Sequence, residues 1–569
     1  MKNYRQAETY PESVSTELSH FNDLTKQLLF TRGIVTKEDA ETFLNPSYDD
    51  HLHDPFLLHD MDKAVVRILR AIEEGQKITI FSDYDCDGIP GAVVLHDFFK
   101  AIGYKNFTNY IPHRHYEGFG FSVEAADKLH AEDVHLVITI DCGTTNHEAI
   151  LQANRHGMDV IVTDHHEPKE KLPEAFAVVN PKVGNTYPFD GLCGSGVIYK
   201  LVQALIQKGT ENKQFELTVG WEKWWLDMVG IATIADMVPL TGENRALARY
   251  GLDVLRKSRR PGLQHLLRKQ KASQRHLTED DIGFTIGPRI NAASRMDTPE
   301  DAFHMLASTD EADAAARVDH LEKLNTERKT LVGMMTKELN KRMKDAVEIP
   351  NVLVLGNPEW RPSLVGLAAN KLAEEHNRPV FLWGRDGNGV IKGSCRSNGV
   401  TSVVTLMESI PDAFIDHGGH HMSGGFAVTE ENIHTLSASL NAAFQSLGEK
   451  AAIAEDILID ATLTFPEVNN ELLKTLTSLA PFGMSNHKPL FSFVDVVPKS
   501  VQLFGKTKEH TKLMFDTPGY AKEAIAFFKL PSDFQKEPTE GEKVTVLAHV
   551  EQSFFMGRLQ TRLRIVDII

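Results

Sequence analysis

At 569 residues and a formal net charge of −17, the chain is long enough for about three or four domains and too acidic to bind nucleic acid over its whole surface. Its 42% hydrophobic and 24% charged residues are those of a water-soluble globular protein, and no run approaches the about 18 apolar residues of a membrane helix. The opening MKNYRQAETYPESVST has no signal-peptide core, and Cys86, Cys142, Cys193 and Cys395 form no C-x-x-C pair; free thiols in a reducing cytoplasm are expected. The charge is uneven: residues 1–60 hold 5 Lys/Arg against 11 Asp/Glu, whereas residues 491–569 hold 11 against 10. Any surface for anions must therefore be local.

From about residue 76 to 182, apolar runs alternate with helical patterns. KITIFS precedes Asp83, VHLVITI precedes Asp141, DVIVT precedes Asp164-His165-His166, and AFAVVN follows. AVVLHDFFKAIG and NHEAILQANRHG fill two of the intervals as helices. Near-continuous Val/Ile runs separated by helices predict a parallel sheet covered on both faces, whose ligands bind beyond the carboxyl ends of the strands. The acids sit at those ends. In DYDCDG, Asp83, Asp85 and Asp87 alternate across five residues, and three such carboxylates repel one another unless a cation lies among them. Asp236, alone in the apolar WWLDMVGIATIADMVPL, also needs a partner. An Asp after a strand is often a helix cap and a His pair can be a buried hydrogen-bonding pair; five or six carboxylates with two imidazoles at one sheet edge is a different matter. That set suits two Mg²⁺ or Mn²⁺ ions about 3.5–4 Å apart, an arrangement for phosphoryl displacement.

Further along, Val318, Leu321, Leu324, Leu331, Met335, Leu339 and Met343 recur at helical spacing, predicting one long amphipathic helix over 310–343 that ends before Pro350. KGSCRSNG then places Arg396 and Ser397 in a glycine-bounded turn, and DHGGHHMSGGF places His420 among four glycines, so that backbone N–H groups could approach an anion. From 455 onward, LFSFVDVV, TKLMFDT, AIAFFKL, KVTVLAHVEQSFF and TRLRIVDII predict short strands of a small barrel. Phe504, Phe528, Phe554 and Phe555 are its candidate stacking platforms, with core packing the alternative for about half of them.

The motifs DYDCDG, DCGTTN, DHH and GIATIADMVPL, in that order, resemble the four motifs of the DHH phosphoesterase superfamily. IPHRHYEGFGFS, GPRINAASRMD, GSCRSNG, GGHHMSGGF and PFGMSNHKPLF extend the likeness, over essentially the whole chain, to its bacterial single-strand-specific 5′→3′ DNA exonucleases. The resemblance implies an α/β fold: a parallel-sheet DHH domain preceded by an N-terminal segment (1–309), a connecting long helix (310–347), a smaller α/β DHHA1 domain (348–452) and a C-terminal OB-fold-like β-barrel (453–569). It implies Asp83, Asp85, Asp87, Asp141, His165 and Asp236 as ligands of two divalent ions, Mn²⁺ or Mg²⁺, with Asp141 bridging and the catalytic His166 either supporting the ligands from behind or facing the substrate. Arg114, Arg289, Asn291, Arg295, Arg396, Ser397, Gly419 and His420 are implied as substrate-binding, with an internal salt bridge the alternative for Arg289. Ser294, Arg361 and Ser423 depart from the usual Gly, His and Ala. The expected protein is a cytoplasmic monomer acting on single-stranded DNA with a free 5′ end, with a single-strand-binding protein and a RecQ-type helicase as partners. The alternatives are a DHH phosphoesterase for short oligoribonucleotides or nucleotide phosphates, and a scaffold that has lost its metals.

Overall fold

Five strands with apolar side chains on both faces pair in parallel, in the order Phe107–Tyr110, Ile78–Ser82, Leu136–Ile140, Asp159–Thr163 and Ala177–Val179. The computed structural model describes residues 3–218, 220–346, 348–399, 401–448, 456–516, 523–555 and 558–569, without the side chains of 553–559. Because side chains alternate across a strand, Ile78, Ile80, Leu136, Ile138 and Ile161 enter one core with helices Met61–Glu73, Gly88–Ala101 and Gly194–Glu211. Phe81, Val137, Val160 and Val162 enter a second core with helices Val123–Ala131 and His147–Arg155. Each fully buried Ile or Val contributes roughly 1.5–3 kcal/mol, so both faces hold the sheet rigid under its carboxyl edge.

Helix Glu311–Asp345 is capped by Asp310, whose side chain accepts from the Asp313 N–H. Its 35 residues span about 52 Å. Val318, Leu321, Leu324, Met335 and Leu339 are buried in the first core, which continues into Leu353, Trp360, Leu364 and Val380 of the next domain. One apolar cluster thus ties the two domains to the helix that joins them. The second domain has a mixed sheet ordered Asp416–His420, Ser423–Val428, Ile391–Arg396, Val380–Arg385 and Leu353–Gly356, in which only the last two strands pair in parallel.

Two expectations are corrected here. The C-terminal strands form a seven-stranded sheet, with Ala461–Thr462 at one edge and Ser500–Phe504 at the other, and among the described residues those edges do not pair: the sheet is not closed. Its apolar face is covered by helices instead of by closure. Phe491, Phe493, Leu513 and Val546 pack with Leu28, Leu29, Phe43 and Leu472, from helices Asp23–Phe30, Lys37–Leu44 and Asn470–Leu479. Consequently the segment up to residue 44, expected with the first domain, shares the core of the last. Strand Tyr4–Gln6 also pairs in parallel with Ile457–Ile459.

Candidate metal centre

The strand register puts the acids in a row. Ser82 lies opposite Ile140, and Ile140 opposite Thr163, so each following residue leaves the sheet at the same level. The Asp83 N–H donates to Ile140 O (3.0 Å), Asp141 N–H to Thr163 O (2.9 Å) and Asp164 N–H to Val179 O (3.1 Å). Asp141 adopts φ 60°, turning its carboxyl back over the edge, and it does so against Gly194, where a Cβ would stand 2.6 Å from the Asp141 Cβ. That close approach requires glycine.

The remaining groups come from helix ends. Asp87 accepts from the N–H groups of Gly194 (2.6 Å) and Ser195 (2.7 Å) at the start of helix Gly194–Glu211, where the helix dipole favours an anion. Asp85 Oδ1 accepts from the Asp87 N–H at 2.8 Å. Asp236 ends helix Leu226–Ala235. His165 Nε2 reaches all three sources, 3.1 Å from Asp141, 3.6 Å from Asp236 and 3.8 Å from Asp87. His166 Nδ1 instead donates to Asp164 at 2.7 Å and lies 3.8 Å from Asp141.

Electrostatically the cluster is unstable alone. Burial, then the neighbouring carboxylates, hold Asp83, Asp141 and Asp236 well above the ordinary carboxylate range. Asp83 Oδ1 and Asp141 Oδ1 are buried and receive no hydrogen bond. Within this cluster three groups have ligand atoms within 4.8 Å of one another: Asp83–Asp85–Asp141, Asp141–His165–His166 and Asp87–His165–Asp236. Asp141 belongs to two of them and His165 to two, as shared sites require. Oxygen-rich, imidazole-bearing and without thiolate, the donor set fits hard or borderline divalent ions.

Beside the acids stands the opposite imbalance, drawn from both domains. Ser423 lies opposite both His420 and Arg396, so the sheet sets those two residues on one face, on either side of Ser423, whose Oγ is 3.0 Å from His420 Nε2. Burial first, then Arg396 and His166, lower the His420 pKa. Arg295 is pushed down to about 9 by burial and by Arg114, Arg328 and Arg396. Arg114 lies over the Tyr84 ring at 4.8 Å. Among the described residues no acid forms an ion pair with Arg114, Arg295 or Arg396, so the group is built for an anion from outside.

Other expected anchors have different duties. Arg289 is a correction: it is 4% exposed and bonds Glu322 (2.9 Å), Gln270 (2.7 Å) and two backbone carbonyls, leaving it nothing for a phosphate. Ser397 Oγ donates to Thr401 O inside its own turn, and Asn291 Oδ1 holds the Cys86 N–H of the aspartate loop. Gly419, at φ 139°, lies where a Cβ would meet Ser423 O. Arg361 donates to Met296 O, and Ser294 is buried. Asp164 was not singled out from sequence, although its position after a strand matches that of Asp141; it is 1% exposed and stays below the usual carboxylate range, burial being outweighed by His166 and the Thr144 N–H.

Three family models match in succession: the DHH family N-terminal domain at 77–233, the DHHA1 domain at 350–446 and the RecJ OB domain at 459–567. The single-stranded-DNA-specific exonuclease RecJ of Bacillus subtilis is 32% identical over 97% of this chain and 68% of its own. The chain belongs to the RecJ family. RecJ from Thermus thermophilus in complex with Mn²⁺ superposes with a TM-score of 0.81 at 27% identity, covering 100% of this chain and 79% of that one. Its Mg²⁺ complex gives 0.75 at 26% identity, covering 100% and 78%. The RecJ OB match accords with a sheet derived from a barrel architecture, although the described strands leave it open.

Proposed function

We propose that this chain is a divalent-metal-dependent exonuclease that degrades single-stranded DNA from its 5′ end to mononucleotides. The observation that carries the reading is a pair of adjoining, unbalanced charge groups: a row of carboxylates with two imidazoles, and beside it arginines that no acid pairs with among the described residues. The named relatives act on single-stranded DNA, and the RecJ OB match supports strand binding by the C-terminal domain.

Asp83, Asp85, Asp87, Asp141, His165 and Asp236 would hold two Mn²⁺ or Mg²⁺ ions, which when bound supply an activated water and charge stabilisation at the phosphate. The chain's own residues set the geometry. Asp164 fixes the His166 ring through Nδ1, so Nε2 is presented toward the cleft as a donor to a non-bridging phosphate oxygen. Arg114, Arg295, Arg396 and His420 hold the terminal phosphate beyond the scissile one, which sets polarity by admitting an end first. A cleft with its floor on a sheet edge admits one strand, and no element for reading base edges is present among the described residues, so contacts go to phosphates and stacked bases. On duplex DNA the reaction then requires a RecQ-type helicase and a single-strand-binding protein to supply the strand. No described helix is long and apolar enough to cross a membrane.

The test is digestion of 5′- and 3′-labelled single strands and blunt duplexes with Mn²⁺ or Mg²⁺. Release of labelled mononucleotide from the 5′ label first, with duplex resistant, is the expected result. Preference for short oligoribonucleotides over long single strands would establish the alternative phosphoesterase reading instead.

A further inference from the structure

We propose that the groove between the connecting helix Glu311–Asp345 and helix Pro362–His376 is a second track for the sugar–phosphate backbone of a single strand. This rests on the reaction assigned above and adds a site away from the metal centre. The groove is a cavity of about 1220 Å³ lined by six cations and two acids, in a chain whose net charge is −17. Lys337, Lys341 and Lys344 succeed one another at spacings of four and three, which puts them on one helix face. All three are exposed and none is ion-paired among the described residues. Of the two acids, Glu338 is already paired with Arg342, leaving Asp345 at the helix end. Arg328, Lys329 and Lys371, the last 3.7 Å from Glu375, complete the lining, over a floor of Val332, Met334 and Leu367.

Length decides the class of ligand. From Lys329 to Lys344 the helix rises about 22 Å, so a lone phosphate would use one or two of these cations and leave the rest repelling one another. A polyanion uses the whole row. Position decides between a nucleic acid and an acidic protein segment: the inner end of the groove is Arg328, close enough to Arg295 to disfavour its charge, and Arg295 in turn feels Asp85 of the metal cluster. The row of cations is therefore continuous with the place where a strand's phosphates already have to lie. The apolar floor, with Met334 64% exposed, gives sugars and bases a surface that needs no sequence.

The experiment is fluorescence anisotropy of a 3′-labelled dT20 with the metal-free full chain in EDTA, across about 50–200 mM salt, for the wild type and Lys337→Gln/Lys341→Gln/Lys344→Gln. Losing three single-strand phosphate contacts should lower the slope of log Kd against log salt by about 2 and weaken binding roughly tenfold or more. Turnover of a 5′-phosphorylated dinucleotide with Mn²⁺ should be unchanged, since the groove lies outside the centre. An unchanged slope overturns the proposal, as does equal loss on dT20 and the dinucleotide. Binding of a fluorescent poly-glutamate peptide that the triple variant loses while dT20 binding persists also overturns it, and makes the occupant an acidic protein segment. Because binding is read without metal, a wild type that cleaves no single strand counts against the reaction and leaves the groove to be judged by its own slope.

Discussion

The two walls of the cleft fail in opposite ways. The DHH edge buries Asp83, Asp141 and Asp236 with too little positive charge, and beside it Arg114 and Arg295 of the same domain gather with Arg396 of the second domain, with no acid ion-paired to them among the described residues. Had these groups been meant to stabilise the fold, they would have paired with each other, as Lys200 and Glu243 do at 2.8 Å in the interior. Although they adjoin, no ion pair joins them among the described residues, which is the arrangement that the proposed metal ions and phosphates would complete. An unpaired buried charge is costly, and here the cost marks the function.

The largest effect should come from breaking the acidic wall at its shared member. Asp141→Asn should reduce turnover by roughly a thousandfold or more, since the metal contribution amounts to several kcal/mol; near-normal cleavage of 5′-labelled dT20 would refute the shared-ligand model. The same variant should stabilise the metal-free protein. Asp141 has a raised folded-state pKa, so its contribution is fully present below the ordinary carboxylate pKa of about 3.9 and is lost as pH rises through the raised value. In EDTA the thermal midpoint of the wild type should therefore fall relative to Asp141→Asn as pH is raised above about 4, and Mn²⁺ should remove the difference.

The basic wall should respond in binding. Arg396→Ala should raise KM for 5′-phosphorylated strands about 10- to 100-fold, in line with loss of a charge-assisted bond, and lower the salt slope by about 0.7. A 5′-hydroxyl strand should lose little. Arg289→Ala sharpens the contrast, because it should lower the thermal midpoint by orphaning Glu322 and leave the salt slope alone. Asp164→Asn should reduce kcat about tenfold or more by loosening His166. The smallest effect is expected far from both walls: Phe528→Ala, 75% exposed in the turn after strand Glu523–Ala526, should weaken binding of long strands by about 1 kcal/mol, with dinucleotide turnover untouched. Phe554 and Phe555 fall outside the described side chains. Phe504 packs tilted against the His510 ring within the domain, centroids 5.0 Å apart.

The parallel sheet and its acidic edge were legible because Val/Ile runs and the acids following them are local signals. Arg289 was not, since its partner Glu322 is supplied by a different helix, and an arginine's spelling is the same whether its partner is inside or outside the protein. Asp164 was overlooked beside the two histidines, although it obeys the strand-end rule that exposed Asp141. The open C-terminal sheet escaped for a similar reason. Strand patterns announce a sheet, but whether its apolar face closes on itself or is covered by Leu28, Leu29 and Phe43 depends on residues more than four hundred positions away.

That distance has a consequence for how the molecule is made. Thr25 and Thr475, 450 positions apart, touch at 3.3 Å beneath the C-terminal sheet. At a synthesis rate of about 5–20 residues per second, the leucines of helix Asp23–Phe30 emerge from the ribosome and wait roughly 20–90 s for the surface they bury against. During that interval the two central domains can fold around their own core, while the early helices remain exposed and available to a chaperone.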